Sequence, residues 1–323
     1  MPEGVREPQR HDYGSDPSQF GELTLPAGVP RGVAVVVHGG FWKTAYGIEY
    51  ARPLVPSLVE QGWATWAIEY RRVGKGEGGG GGNPETFDDV RTAIEELDEL
   101  VLGVDPSTVP VVGVGHSAGG HLATWAAGQG LLTHVVSQAG VLDLRGAYTA
   151  GLGGPGTVTG IVGGVPTSAD ADIDPVQQVP LPVPVWCVHA TGDDIVPISQ
   201  SRSYVEAATA AGGTARLVEV EGDHQAEGDD GQDQHLQPQG DHHRARGARH
   251  PSEVTDLQGE AEPEHDDRQG DRVHRGAIES EEGVFSLLSH VPSSQPHRPR
   301  ARVRRQERDG RQGGKIRRLG LPG

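Results

Sequence analysis

The sequence predicts an α/β fold with a doubly wound, mostly parallel β-sheet. Three observations lead to this prediction. Short apolar runs rich in β-branched residues are typical of strands buried on both faces. Segments with apolar residues three to four positions apart lie between these runs and indicate helices, and such alternation is typical of parallel sheets. Finally, 14 of the 15 Phe, Trp and Tyr residues precede residue 225, which confines the fold to the first part of the chain.

Strands and helices are predicted in alternation along this part. The strands are the apolar runs that end at glycine, proline or a polar turn: 32–40, 63–70, 110–117, 134–141, 184–190 and 215–222. The helices are the amphipathic or alanine-rich segments between them: 48–61, 86–100, 118–130 and 199–212. Two segments interrupt the alternation. The glycine run 74–84 predicts a mobile loop, and 144–180, rich in Gly, Pro and Asp, predicts an insertion or small lid.

The composition changes one residue past His224. Phe285 is the one aromatic residue that follows it, and a segment without large apolar side chains cannot offset the entropy of ordering. We therefore expect a folded domain over 1–224 and a low-complexity, disordered tail over 225–323. The tail has 15 Arg and one Lys with abundant Gly, Pro, Gln and His, which suggests GC-rich DNA read in a shifted frame. A natural disordered tail is the alternative.

Charge and composition exclude several classes of partner. Residues 1–224 carry 12 Lys and Arg against 27 Asp and Glu, a net charge of −15, which argues against nucleic acid or an anionic membrane. The basic stretch 298–318 lacks aromatic residues, which argues against a nucleic-acid-binding arm. The histidines of "DHHRARGARH" lie among arginines that repel a cation, which argues against a metal site. Cys187 is the single cysteine and lies in an apolar run, so it is expected to be an inert core residue. Without an apolar stretch of signal-peptide or membrane length, we expect a cytoplasmic protein.

The motif "GHSAG" at 115–119 predicts a serine nucleophile. It lies between a predicted strand and a predicted helix, where a sharp turn lifts the Ser117 hydroxyl above the sheet. The helix that follows directs its N-terminus and the Ala118 N–H at developing negative charge.

The motif "HGGFW" at 38–42 predicts the rest of an oxyanion hole. Glycines after a strand let the backbone turn so that N–H groups point into a site, and the N–H of Gly40 or Phe41 is the expected donor beside that of Ala118. His38 is expected to shape this loop rather than act as a base.

A serine nucleophile needs a histidine base and a carboxylate that orients it. His116, next to the nucleophile, is expected to point elsewhere, and His121 to be packed. His224 follows the final predicted strand, where a loop can bring an imidazole over the carboxyl edge of the sheet. Asp193 and Asp194 follow the preceding strand and are the candidate acids, so the chain order is serine, acid, histidine.

These motifs together resemble the α/β-hydrolase superfamily, and within it small bacterial esterases of the feruloyl-esterase-like group and arylformamidases of the kynurenine formamidase type. "HGGFW" is similar to that group's oxyanion motif, "GHSAGGHLA" to its nucleophile elbow, and "HATGDDIVP" to its HGxxDxxVP motif, with Ala190 in place of glycine. The resemblance spans 12–224 and implies that Asp193 is the acid and Asp194 its neighbour. Relatives continue after the histidine with a helix that packs on the sheet, whereas this chain continues with "QAEGDDGQDQ".

The leading hypothesis is therefore a carboxylic ester hydrolase that acts on small substrates through Ser117, Asp193 and His224, with no cofactor or metal. The first alternative is an arylformamidase that uses the same residues on N-formyl arylamines such as N-formylkynurenine. The second is an inactive hydrolase-like protein, because the final helix is expected to be missing.

Overall fold

Eight strands form one sheet in the computed structural model of the protein, which describes residues 7–222 and His224. The strands are β1 (Gln9–Asp12), β2 (Phe20–Thr24), β3 (Val33–Val37), β4 (Ala64–Ile68), β5 (Val111–His116), β6 (His134–Gln138), β7 (Val185–Ala190) and β8 (Ala215–Val220). Their order across the sheet is β1-β2-β4-β3-β5-β6-β7-β8. β2 runs antiparallel to β1 and β4, and the pairs from β4 to β8 are parallel. The predicted fold class is confirmed, whereas the predicted tail, 225–323, lies outside the described residues.

Six α-helices accompany the sheet within the described residues. They are α1 (Val55–Glu60), α2 (Glu85–Glu95), α3 (Ala118–Gly128), α4 (Leu144–Thr149), α5 (Thr157–Val162) and α6 (Ser199–Ala210). Short 3-10 turns occur at Ile48–Tyr50, Arg52–Leu54, Glu96–Asp98, Ser168–Asp170 and Pro175–Gln177. The segment 144–180, expected to be an insertion or lid, thus contains α4, α5 and two of these turns.

Several boundaries differ from the sequence prediction. β1 and β2 were not predicted, because both are short and their residues are largely polar or mixed. The helix predicted over 48–61 is divided into two 3-10 turns and α1, since Pro53 and Pro56 each remove a backbone donor. The helix predicted over 86–100 ends as an α-helix at Glu95, where an acidic run meets the negative end of the helix dipole.

The glycine-rich loop folds back on Arg72. Arg72 N donates to Gly78 O at 2.7 Å, and Gly81 N donates to Arg72 O at 2.8 Å. A Cβ on Gly78 would lie 1.8 Å from the Arg72 guanidinium, and φ of this glycine is +72°. Glycine is therefore required here because the backbone passes against a charged side chain in a left-handed conformation.

Apolar side chains cover both faces of the sheet. On β3, Val35 and Val37 belong to the cluster that contains residues of α2, α3 and α6, whereas Val36 belongs to the cluster that contains residues of α1. Alternation of this kind places a parallel strand between two helical layers. The face of the sheet that packs on α1 is less completely covered near β7 and β8, where Trp186, Val218 and Val220 are only partly buried. No helix among residues 7–222 is both long and apolar enough to cross a membrane.

Candidate active site

Ser117 occupies a strained turn between β5 and α3. Its φ is 53° and its ψ is −117°, a conformation that non-glycine residues rarely adopt. The turn is possible because its neighbours are small: a Cβ on Gly119 would lie 2.1 Å from Val37 O, and one on Gly115 would lie 2.2 Å from Gly119 O. Ala118 is the first residue of α3, so its N–H belongs to the N-terminal end of the helix, which favours negative charge.

The loop after β3 lies directly against this turn. A Cβ on Gly39 would be 2.8 Å from His116 O and 3.2 Å from the Ser117 Cβ. The next two residues, Gly40 and Phe41, have φ of 104° and 54°. The loop that carries Gly40 and Phe41 therefore packs on the Ser117 turn through Gly39.

His38 is part of the scaffold of this loop. Its Nε2 lies 3.0 Å from Glu69 Oε1, and its ring stacks on Tyr70 with centroids 4.4 Å apart. Glu69 is itself buried and also accepts hydrogen bonds from Ile48 N, Tyr70 N and the Arg72 guanidinium. Sequence reasoning did not single out Glu69, although an acidic residue at the end of an apolar strand was the available signal.

His224 and Asp193 form a buried hydrogen-bonded pair. His224 Nδ1 donates to Asp193 Oδ2 at 2.5 Å, and the two side chains are 2% and 0% exposed. Burial alone raises the pKa of Asp193, but the hydrogen bonds from His189 and His224 outweigh it, and the net pKa lies below its ordinary value. Asp193 is therefore ionised at neutral pH and keeps the proton of His224 on Nδ1, which leaves Nε2 to act as a base.

Asp194 has a different environment. It is exposed, and it lines a cleft instead of contacting His224. The structure thus separates the two adjacent carboxylates that sequence reasoning considered.

His116 connects His224 with the nucleophile turn. The two imidazole rings are tilted by 51° with centroids 4.7 Å apart. Burial, together with the neighbouring His224, lowers the pKa of His116 to about 3, so His116 is neutral near pH 7. His116, the residue before Ser117, therefore packs a neutral ring against the ring of His224.

The remaining predicted histidine and the cysteine have packing roles. His121 Nε2 lies 2.8 Å from Ile173 O, and its ring is edge-on to Trp42 with centroids 5.3 Å apart. Cys187 is fully buried, and burial raises the pKa of its thiol to about 12. Neither side chain is placed to take part in catalysis.

A cleft of about 390 Å³ opens beside the site. Its walls come from the loop after β3, from the segment that links α4 and α5, and from the loop after β7: Phe41, residues 150–154, Asp194, Ile195 and Pro197. Lys43 Nζ donates to Gly153 O at 2.9 Å and so links the first two walls. Within the described part of the chain, no group of three His, Cys, Asp or Glu side chains is arranged to hold a metal ion.

His189 on β7 contacts Asp193 from within the protein. Sequence reasoning did not assign this histidine a role in the site. Its Nε2 lies 3.1 Å from Asp193 Oδ2, and its side chain is 0% exposed. The spacing of four residues between a strand histidine and the acid was the available signal, but β7 alone does not show that the chain folds back at Asp193.

The protein has the α/β-hydrolase fold. This follows from the strand order, from the strained turn at Ser117 and from the histidine that follows β8. Solved structures with this fold include a truncated carbohydrate esterase from gut microbiota, which is 20% identical over 68% of this chain and 88% of that chain, with a TM-score of 0.56. Esterase B from Lactobacillus rhamnosis, inhibited by a tributyrin phosphonate, is 20% identical over 68% and 75%, with a TM-score of 0.55. Butyrate-bound esterase 2 from Thermogutta terrifontis is 23% identical over 68% and 84%, with a TM-score of 0.53.

The sequence itself places the chain more narrowly. Residues 69–242, more than half of the chain, match the prolyl oligopeptidase family, and the protein belongs to that family. Comparison with curated proteins found no match.

Proposed function

We propose that the protein is a serine esterase that cleaves carboxylic esters of small substrates. The observation that carries the proposal is the buried His224–Asp193 hydrogen bond of 2.5 Å, with the His224 ring packed on His116, the residue before a serine whose φ is 53°. A serine in a strained turn and a histidine oriented by an ionised carboxylate are the two parts that nucleophilic acyl transfer needs. Membership in the prolyl oligopeptidase family and the esterase neighbours support the reaction class.

In the proposed mechanism, Ser117 Oγ attacks the ester carbonyl while His224 Nε2 takes its proton. Asp193 accepts the Nδ1–H hydrogen bond and stabilises the imidazolium that forms. His224 then protonates the leaving alcohol, and an acyl group remains on Ser117. Water, activated by the same histidine, releases the acid and restores the serine.

The negative charge of the tetrahedral intermediate is proposed to rest on backbone amides. Ala118 N–H lies at the start of α3, and the N–H of Gly40 or Phe41 belongs to the loop that packs on the Ser117 turn. Donors of this kind, already oriented in the free enzyme, typically contribute a factor of about 10² to 10³ each. The mechanism needs no cofactor or metal ion.

The cleft supports a small substrate. A volume of about 390 Å³ lies at the small end of the range for ligand pockets. Small esters of the feruloyl-esterase-like group are the first proposed substrates, and N-formyl arylamines such as N-formylkynurenine, which need the same residues, are the second. We propose a small-molecule partner, neither nucleic acid nor membrane, and a cytoplasmic location.

Labelling with a fluorophosphonate tests the reaction class. The wild-type chain should be labelled at Ser117, and Ser117→Ala should not be labelled. Absence of labelling in a folded wild-type chain would support the alternative of an inactive hydrolase-like protein.

Comparing kcat/KM among three substrates then tests the substrate class. Aryl acetates should exceed both N-formylkynurenine and an aminoacyl anilide. A preference for the formamide would favour the arylformamidase alternative, and a preference for the anilide would favour the peptidase activity named in the family description.

A further inference from the structure

We infer that His189 is a positioning residue that holds Asp193 in place for His224, and that Ser201 donates a hydrogen bond to the ring nitrogen of His189 that carries no proton. The inference rests on the proposed function, because it concerns the acid of that same site. It adds two residues to the site, one from β7 and one from α6, neither of which is expected to touch the substrate.

The hydrogen-bond partners of His189 determine which of its ring nitrogens carries the proton. Nε2 lies 2.8 Å from Val196 O and 3.1 Å from Asp193 Oδ2, and both atoms can only accept. Nε2 must therefore carry hydrogen. When the ring carries this single proton, Nδ1 is an acceptor, and the Ser201 hydroxyl, 2.8 Å away, donates to it.

Ser201 is held in this orientation by its surroundings. Its side chain is fully buried. A hydroxyl with no access to water is expected to keep the one hydrogen bond that the neighbouring ring offers. Ser201 and His189 can therefore donate in series, from Ser201 to His189 and from His189 to Asp193.

The consequence for Asp193 is that all of its hydrogen-bonding directions are filled. Oδ1 accepts from Ile195 N at 3.0 Å and Val196 N at 2.8 Å, and Oδ2 accepts from His189 and His224. His189 also binds Val196 O, so one ring anchors both the carboxylate and the loop that carries it to the rigid sheet. Removing this anchor frees the carboxylate to rotate, and a displacement of about 1 Å can cost on the order of 10²-fold in rate.

The experiment compares four variants of the full chain. His189→Phe removes both nitrogens but keeps a ring, His189→Gln keeps an amide N–H near the position of Nε2, and Ser201→Ala removes the donor to Nδ1. His134→Phe is the matched control, because His134 is also a buried strand histidine, on β6, and stacks on Trp186 away from the loop after β7.

Kinetics with an aryl acetate supply the first measurement. His189→Phe should lower kcat about 10²-fold with KM changed less than threefold, His189→Gln should recover about tenfold of that loss, and His134→Phe should match the wild type. Equal kcat values in His189→Phe and the wild type would overturn the inference while leaving the serine esterase intact.

Nitrogen-15 NMR of the wild type supplies a second measurement that does not depend on turnover. His189 should carry hydrogen on Nε2 and none on Nδ1, and Ser201→Ala should shift the Nδ1 resonance, because its hydrogen bond is lost, without changing the tautomer. The low-field proton resonance of His224 Nδ1–H should persist in His134→Phe and weaken in His189→Phe. A wild-type His189 protonated on Nδ1, or an unchanged His224 resonance in His189→Phe, would refute the positioning role even if the chain proved inactive.

Discussion

Replacing Asp193 by asparagine tests the proposed acid most sharply, because the wild-type carboxylate accepts four hydrogen bonds. Two come from Ile195 N and Val196 N, and two from the rings of His189 and His224. An amide has one oxygen and one NH₂ group. If its oxygen keeps the backbone donors, the NH₂ group faces two N–H groups, and His224 must move its proton from Nδ1 to Nε2.

That tautomer cannot accept the serine proton. We therefore expect Asp193→Asn to lower kcat about 10⁴-fold, which corresponds to about 5 kcal/mol of lost transition-state stabilisation. If the amide turns round instead, its NH₂ group faces the two backbone N–H groups, so the acid loop rather than His224 is disturbed. Both orientations leave donors opposed to donors in a buried site, and both reduce the rate.

Asp194→Asn is the matched control. It removes the same charge one residue away, but Asp194 is exposed, so its influence on the site is screened by water and salt. Its kcat should remain within about threefold of the wild type. The assay is steady-state hydrolysis of an aryl acetate, together with the rate of fluorophosphonate labelling. A larger loss in Asp194→Asn than in Asp193→Asn would refute the assignment of the acid.

Three further predictions concern the nucleophile, acid stability and the turn. Ser117→Ala should lower kcat by on the order of 10⁶-fold with an unchanged circular dichroism spectrum, and residual ester hydrolysis near the wild-type rate would exclude Ser117. Because the native pKa of Asp193 is below its unfolded value of about 3.9, its carboxylate stabilises the fold fully above that pH and less as pH falls through the native pKa. The difference in unfolding free energy between wild type and Asp193→Asn should therefore shrink from pH 6 to about pH 3 in urea titrations, and a widening difference would contradict the sign. Gly119→Ala places a Cβ 2.1 Å from Val37 O and should cost about 1–3 kcal/mol or more, whereas Gly164→Ala, with open space around it, should be nearly neutral by thermal unfolding.

The tail hypothesis is tested by the nucleotide sequence near codon 225. A frame shifted by one or two bases should encode an amphipathic helix and a stop soon after His224. If neither shifted frame does so, the natural tail is the better account. The structural expectations for 225–323 lie outside the described residues and stay predictions.

The fold class and the turn at Ser117 could be predicted from the sequence because each depends on residues that are close together in the chain. The strand–turn–helix at Ser117 depends on residues within a few positions of one another, and the six parallel strands depend on continuous apolar runs. Both signals are contained in the chain itself. The same holds for the glycines after β3, which are needed for a tight backbone turn. The sequence by itself therefore determined the fold class, the nucleophile turn and the loop beside it.

Other features depend on strand order and register, which bring distant residues together. His116 and His224 are far apart in sequence, yet their rings meet because β5 and β8 run parallel and so have their carboxyl ends on the same side of the sheet. Asp193 and Asp194 are chemically identical neighbours, and only the fold of the loop after β7 buries one against His224 and exposes the other. The same loop brings Asp193 back over His189. These pairings were decided by the tertiary structure alone, because a side chain's partner across a sheet is set by long-range packing that no local pattern encodes.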